Sequence, residues 1–179
     1  PPSEGLEGLR EEIAARRNVD ASRIVVTNGA GEANYLAMAR AMERDAGSEF
    51  LLTDPVYPYY PGKATMLGGE VTRVPAHEDG HVDVAGMRAA ASADTAAIVL
   101  NTPNNPTGAV YDVDAVAAIA DVAAEADALL VVDEVYDHFD FSGRFESALT
   151  LDRDRVVVTS SFSKSMGITG FRVGYAVFP

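Results

Sequence analysis

The sequence contains no cysteine. This stretch can therefore form neither a disulfide nor a cysteine-ligated zinc site, and it cannot use a thiol as a catalytic nucleophile. The three histidines, at positions 77, 81 and 138, do not show the spacing of a metal site. The sequence predicts no metal centre.

Basic residues are also scarce. Lys and Arg number 14 against 27 Asp and Glu, which gives a formal net charge of −13. This balance argues against binding to nucleic acid or to an anionic membrane surface, because both partners favour a basic protein face. It also means that an anionic ligand must be held by a few positive groups set in a negative background.

Long apolar runs are missing as well. No run reaches the length needed to cross a membrane, and no signal-peptide pattern is visible. A cytoplasmic location is therefore the default expectation.

What the chain does contain is an alternation of short apolar runs with helical patterns. Predicted strands cover residues 24–27, 49–53, 70–74, 96–100, 128–132, 156–158 and 171–178. Predicted helices cover residues 5–17, 32–44, 62–67 and 84–91, and a further one that is capped by Asp112 or Asp114 and runs to Ala126. This order predicts an α/β fold with a doubly wound, mainly parallel seven-stranded sheet and helices on both faces.

Five loops that follow these strands carry residue types suited to a binding site. They contain Gly29–Gly31, Tyr57, Asn105, Asp133 and Lys164. Right-handed crossovers bring the carboxyl ends of parallel strands to one edge of a sheet, where α/β proteins bind ligands. We therefore expect the five loops to converge.

The loop around Lys164 is crowded with hydroxyl groups and glycines, and Arg172 follows eight residues later. A lysine in a loop is usually a solvated surface residue. Small polar neighbours favour the close approach of an anionic ligand instead. This loop alone does not decide whether Lys164 is a nucleophile or a positive clamp.

Asp133 ends the most hydrophobic predicted strand. A carboxylate there is costly to bury unless it meets a cation or hydrogen-bond donors, and the alternative is that it turns to solvent or caps a helix. The glycine turn at residues 29–31 can point backbone N–H groups at a phosphate, although an ordinary strand-to-helix connection has the same pattern. Tyr57, in a proline-rich loop, can present a flat face to a ring.

One ligand matches an amine, a buried acid, an aromatic face and phosphate donors together. Pyridoxal 5′-phosphate (PLP) has an aldehyde that reacts with a lysine, a ring nitrogen that an acid keeps protonated, and a phosphate that needs an anchor. The sequence therefore indicates a PLP site.

Several motifs support this interpretation in their order and spacing. They are Thr27–Ala33, Asp54–Tyr57, Asn104–Gly108, Asp133–Tyr136, Ser161–Lys164 and Gly170–Gly174. In these motifs the chain closely resembles the large domain of fold-type I PLP-dependent enzymes. The resemblance is to the class I/II aminotransferase group, which includes histidinol-phosphate and aromatic aminotransferases.

The resemblance implies roles around the cofactor ring. Lys164 would form the Schiff base and move the α-proton, and Asp133 would pair with the ring nitrogen. Tyr136 and Asn105 would hydrogen-bond the phenolic oxygen, and Tyr57 would stack on the ring. Lys164, Asp133 and Tyr136 are the expected catalytic residues.

The resemblance also implies an anchor for the phosphate. The expected groups are the backbone N–H groups of Ala30 and Gly31 and the side chains of Ser161, Ser163 and Arg172. Many relatives carry hydroxyl or longer polar side chains at the positions of Ala30 and Gly31, so here the turn would act mainly through its backbone. A planar guanidinium at position 172 matches a phosphate well.

For the whole protein, the resemblance implies an aminotransferase that passes an amino group between an amino acid and a 2-oxo acid. Residues 1–179 would be its PLP-binding large domain, without the N-terminal arm and C-terminal small domain of the family, and the intact protein would be a homodimer. Two alternatives stay open. One is another PLP reaction, such as decarboxylation, elimination or oxidation, and the other is a non-catalytic PLP-fold regulator.

Overall fold

The computed structural model describes residues 2–43 and 47–179. Its strands are β1 (Ile24–Thr27), β2 (Glu49–Asp54), β3 (Glu70–Pro75), β4 (Thr95–Asn101), β5 (Leu129–Asp133), β6 (Val156–Ser161) and β7 (Gly174–Val177). Its α-helices are α1 (Glu7–Arg17), α2 (Gly29–Met42), α3 (Tyr59–Met66), α4 (Val84–Ala90), α5 (Val113–Glu125) and α6 (Phe162–Ser165).

All seven strands belong to one sheet, in the order β1-β7-β6-β5-β4-β2-β3. Neighbouring strands from β6 across to β3 are parallel. Strand β7 is antiparallel to both of its neighbours, β1 and β6. The predicted mainly parallel, seven-stranded sheet is therefore confirmed.

The two faces of the sheet bury different helices, because successive side chains of a strand point to opposite sides. In β5, Leu130 and Val132 pack in one cluster with buried side chains of α4 and α5. Leu129 and Val131 pack in the other cluster with side chains of α2 and α3. The prediction of helices on both faces is confirmed.

Helix α1 packs against β1 and β7, the two strands at one edge of the sheet. Its Ile13 packs with Ile24, Tyr175 and Val177 in a third buried cluster. Arg17, in the last turn of the same helix, reaches past this cluster to the carboxyl end of β5, where it meets Glu134.

Several predicted boundaries are wrong by a few residues. The predicted turn at 29–31 is the first turn of α2, because the helix starts directly after Asn28. Helix α3 starts at Tyr59 rather than at 62, since Pro61 lies in its first turn, where a proline costs no hydrogen bond. The predicted strand 171–178 is limited to β7, because Arg172 has a left-handed backbone.

Two further boundaries differ less. Helix α1 begins at Glu7 rather than at residue 5, where Gly5 has a positive φ. The predicted helix 32–44 ends at Met42, and position 44 lies outside the described residues. In the described part of the chain, no helix combines the length and the apolar character needed to cross a membrane.

Candidate active site

A cavity of about 280 Å³ lies at the carboxyl ends of the parallel strands. The five loops converge there as expected. All ten residues predicted from the sequence line this cavity: Ala30, Gly31, Tyr57, Asn105, Asp133, Tyr136, Ser161, Ser163, Lys164 and Arg172. The roles implied for them remain predictions.

Asp133 is buried at the base of the cavity, with 3% of its surface exposed. Its Oδ2 accepts hydrogen bonds from Asn34 Nδ2 and from the Tyr60 hydroxyl, each at 2.6 Å. Its Oδ1 accepts one from the backbone N–H of Val135 at 2.9 Å. Burial raises the pKa of Asp133, and these hydrogen bonds act in the opposite direction. The alternative that Asp133 faces solvent is wrong.

The donor Asn34 is itself held in place. The Thr159 hydroxyl on β6 donates to Asn34 Oδ1 at 2.6 Å, which leaves the amide nitrogen facing Asp133. Helix α2, which carries Asn34, thus shares a buried polar chain with β5 and β6. Such chains restrict the carboxylate to one orientation.

Lys164 and Tyr136 lie on another wall of the cavity. Lys164 is exposed and its Nζ lies 5.9 Å from the centre of the Tyr136 ring. The Tyr136 hydroxyl accepts a hydrogen bond from Asn105 Nδ2 at 3.4 Å. Asn101 fixes this loop, because its Oδ1 accepts from Asn105 N–H at 2.8 Å and its Nδ2 donates to the Asp133 carbonyl at 3.0 Å.

The start of α2 and Arg172 form a site for an anion. Ala30 and Gly31 lie in the first turn of the helix, where backbone N–H groups have no partner within the helix. Arg172 is anchored there, because its guanidinium donates to the carbonyls of Thr169 at 3.0 Å and Asn28 at 3.2 Å. The guanidinium packs against Gly29, whose positive φ and lack of a side chain both allow the approach.

The two predicted serines are buried beside this anchor. Ser161 ends β6 and caps α6, since its hydroxyl oxygen accepts the N–H of Ser163. The Ser163 carbonyl accepts a hydrogen bond from the Thr169 hydroxyl at 3.1 Å. These bonds fix the start of the short helix that carries Lys164 and join it to the turn at Thr169.

Tyr57 belongs to an aromatic cluster above Asp133. Its ring lies 4.8 Å from that of Tyr59 and 6.0 Å from that of Tyr60, measured between ring centres. Burial raises the pKa of Tyr57, so its hydroxyl stays protonated. The cluster presents aromatic surface to the cavity.

Seven residues of the cavity wall were not among the predicted site residues: Asn34, Tyr59, Tyr60, Lys63, Asn101, Val135 and Thr169. Four of them lie in helices, Asn34 in α2 and Tyr59, Tyr60 and Lys63 in α3, whereas the predicted residues were expected in loops. A signal existed for Asn34, because it occupies a buried position on a helix whose other buried residues include Ala33, Ala37 and Met38. Lys63 is half-buried, and its Nζ lies 5.3 Å and 5.9 Å from the ring centres of Tyr59 and Tyr60.

Glu134, the next residue after Asp133, is completely buried and faces away from the cavity. Its carboxylate accepts hydrogen bonds from the Ser147 hydroxyl and from the N–H of Ala148, and Oε2 lies 3.5 Å from Arg17 Nη1. Arg17 also donates to Asp137 at 2.7 Å. Burial raises the pKa of Glu134 to about 7, while Arg17 and the hydrogen bonds oppose that rise.

The described residues contain no cluster of histidine and acidic side chains that could hold a metal ion. The cavity therefore offers an amine, a buried carboxylate, an anion anchor and aromatic surface. Together with the open α/β sheet, these groups fit a phosphorylated, aromatic ligand at the strand ends.

Comparisons with known proteins agree with this class. The family model for aminotransferase class I and II matches residues 1–179. The probable aspartate aminotransferase of Methanocaldococcus jannaschii is 31% identical over 180 residues, which are 97% of this chain and 47% of that protein. The histidinol-phosphate aminotransferase of Rubrobacter xylanophilus is 37% identical over 181 residues, 98% of this chain and 50% of that protein.

Among solved structures, a double mutant of Thermus thermophilus aspartate aminotransferase superposes with a TM-score of 0.91 at 33% identity, covering 99% of this chain and 48% of that one. The chain belongs to the aminotransferase class I and II family. It spans about half the length of the curated relatives that it matches. Members of this family use pyridoxal 5′-phosphate.

Proposed function

We propose that residues 1–179 are the PLP-binding large domain of an aminotransferase, which moves an amino group between an amino acid and a 2-oxo acid. The observation that supports this best is the buried Asp133, which shares one cavity with the exposed amine of Lys164 and with the anion anchor at α2. A lone lysine or a lone buried acid would not distinguish this function from an ordinary surface or core.

The carboxylate of Asp133 fits the ring nitrogen of PLP. It accepts three hydrogen bonds from neutral groups, and a carboxylate has sites for about four. One acceptor site is therefore left for a donor in the cavity. A protonated ring nitrogen is such a donor, and it would bring the positive charge that Asp133 lacks.

The anchor at α2 fits the phosphate. Ala30 and Gly31 would donate backbone N–H groups, Arg172 would supply positive charge, and the hydroxyls of Ser161 and Ser163 would add donors. Arg172 is already oriented by two backbone carbonyls, so little side-chain entropy would be lost on binding.

The other residues would serve the ring and the reacting proton. Bound PLP withdraws electrons from the α-carbon of an amino acid substrate. Lys164 would hold the cofactor and then accept and return the α-proton with its amine. Tyr136, whose hydroxyl accepts a hydrogen bond from Asn105, would donate a hydrogen bond to the phenolic oxygen of PLP. Tyr57 would pack on the PLP ring.

The test uses the full-length protein purified with PLP and a panel of amino acids. We expect one or more amino acids to convert the bound PLP to pyridoxamine phosphate and to release the matching 2-oxo acid. Failure of every amino acid to do so, with carbon dioxide, ammonia or peroxide released instead, would refute transamination in favour of another PLP reaction. No turnover in any assay would favour a regulator.

The role of Lys164 has a separate test. Borohydride should fix PLP to the wild-type protein, and Lys164→Ala should abolish that attachment. Attachment at the wild-type level in the variant would contradict the assignment. The homodimer and the cytoplasmic location remain predictions, to be checked by light scattering and by cell fractionation.

A further inference from the structure

The chain has only two lysines, and both of them line the cavity. Lys164 has a role in the proposed function, whereas Lys63 has none. The remaining basic residues are arginines. An amine differs from a guanidinium in that burial readily shifts its pKa. The position of Lys63 therefore calls for a functional explanation.

Helix α3 brings Lys63 to the cavity together with Tyr60. Residues three apart on a helix lie on the same face. The Tyr60 hydroxyl donates to Asp133, and the ammonium of Lys63 lies 5.9 Å from the centre of the Tyr60 ring. One helix face thus presents both a hydrogen-bond donor and a cation on the Asp133 side of the cavity.

The ammonium of Lys63 has no anionic partner at close range. Within residues 2–43 and 47–179 it makes no hydrogen bond and no ion pair, and it lies over the rings of Tyr59 and Tyr60. Burial lowers the pKa of Lys63, and the negative charge of Asp133 acts in the opposite direction. The ammonium of Lys63 and the carboxylate of Asp133 therefore interact electrostatically without direct contact.

A nearby positive charge matters for Asp133, because its direct hydrogen-bond partners carry none. Asn34, Tyr60 and the Val135 N–H, which bind it, are neutral, and in the described part of the chain it forms no ion pair. The phenols of Tyr57, Tyr60 and Tyr136 face the same cavity and carry no positive charge. Lys164 and Arg172 also line the cavity, but Lys63 is the cation whose charge opposes the rise in the pKa of Asp133. Burial therefore favours the protonated acid, and the charge of Lys63 opposes it.

We propose that Lys63 is a positioning residue for Asp133: its ammonium, placed over the Tyr60 ring, keeps the buried carboxylate ionised while the cavity is empty. It acts in two ways. The positive charge stabilises the carboxylate directly through the low-dielectric wall. It also polarises the Tyr60 ring, which makes the hydroxyl a stronger donor to Asp133.

The use of an Asp133 that Lys63 keeps ionised rests on the proposed function. An ionised Asp133 is ready to accept a protonated ring nitrogen, whereas a protonated Asp133 presents a hydrogen in the same place. The charge state of Asp133 itself can be measured without any cofactor or substrate, so the two hypotheses can fail independently.

The experiment records pH-difference infrared spectra of the full-length protein after PLP has been removed. The C=O band of protonated Asp133 is assigned by its loss in Asp133→Asn. We expect Lys63→Met to shift the midpoint of this band to higher pH, because the ionised form loses its cation. Lys63→Arg should restore the midpoint toward the wild-type value.

Arg73→Met is the matched control, because it removes a positive charge from an exposed side chain on β3. It should leave the Asp133 midpoint unchanged. An unchanged midpoint in Lys63→Met, or an equal shift in Arg73→Met, overturns the proposal, even if Lys63→Met weakens substrate binding. Failure of the proposed function would appear elsewhere, as a wild-type protein that does not bind PLP.

Discussion

Asp133 and Glu134 are consecutive buried carboxylates that meet opposite environments. Asp133 faces the cavity and is held by neutral donors. Glu134 faces α1 and meets Arg17 as well as two further donors. The alternation of side chains at the end of β5 separates them. Asp133, which has no cation in direct contact, is the carboxylate that can receive a positively charged ligand group.

The comparison also shows what each arrangement costs. Burial raises the pKa of both carboxyl groups, so even the ion pair with Arg17 does not fully compensate Glu134 for lost hydration. Glu134 serves the fold, because it joins α1 to the loop at Ser147. The free-energy cost of burying the ionised Asp133 is expected to be offset when a positively charged ligand group binds to it.

Removing Arg17 should have the largest effect on the structural side. Arg17→Met leaves Glu134 and Asp137 without their cation, and we expect the free energy of unfolding to fall by about 3–5 kcal/mol at about pH 8. Urea unfolding of the full-length protein measures this. Arg16→Met is the control, because the Arg16–Glu12 pair is exposed and should be worth less than about 1 kcal/mol. Equal losses would mean that the buried network has no special role.

Neutralising the two carboxylates one at a time should separate function from structure. Asp133→Asn should lower the proposed aminotransferase activity of the full-length protein roughly 100- to 1000-fold, because a preorganised charge at the reacting group is lost. Glu134→Gln should keep activity close to wild type, since its carboxylate does not line the cavity. Steady-state rates at saturating PLP test this. A comparable loss in both variants would contradict the division between the two faces.

Glu134 should make the stability of the protein depend on pH. Folded Glu134 titrates at about 7 rather than at its ordinary 4.5, so between these values the folded protein binds more protons than the unfolded chain. The free energy of unfolding should therefore fall as the pH rises through this window, by up to roughly 3 kcal/mol. Urea titrations across the window measure the slope. Glu134→Gln should flatten it, and a slope that persists in this variant belongs to other groups.

Removing one donor from Asp133 should have a smaller effect. Tyr60→Phe takes away the hydroxyl that binds Oδ2, and we expect a loss of about 1–3 kcal/mol in stability at neutral pH. Tyr35→Phe is a suitable control, because within the described residues the Tyr35 hydroxyl makes no hydrogen bond. Thermal melts of both variants decide whether Asp133 depends on this donor.

Much of the fold and the candidate site could be predicted from the sequence. The alternation of apolar runs and helical patterns predicted the sheet, and topology then required loops as distant as those of Tyr57 and Lys164 to meet. The motifs that carry the family resemblance lie in these loops. These loops come together because they follow parallel strands of one sheet, and the order of strands and helices is visible in the local sequence pattern.

The supporting contacts could not be predicted in the same way. Arg17 lies in a helix with a charged, solvated pattern, and nothing near it indicates a partner 117 residues away. Tyr60 and Lys63 appeared to belong to a proline-rich loop and a short helix, because the start of α3 was placed three residues too late. Side-chain pairs between helices and strand ends depend on tertiary packing, for which a single sequence gives little signal.

The place of β7 in the sheet has a consequence for biosynthesis. This strand is the seventh of the described strands in chain order, yet it lies between β1, the first of them, and β6. During translation the chain emerges from its N-terminus, so β1 and the start of α2 beside it lack the neighbouring strand of this sheet until residues 174–177 have left the ribosome. A ligand of the cavity beside α2 is therefore expected to stabilise this sheet only after β7 has paired with β1.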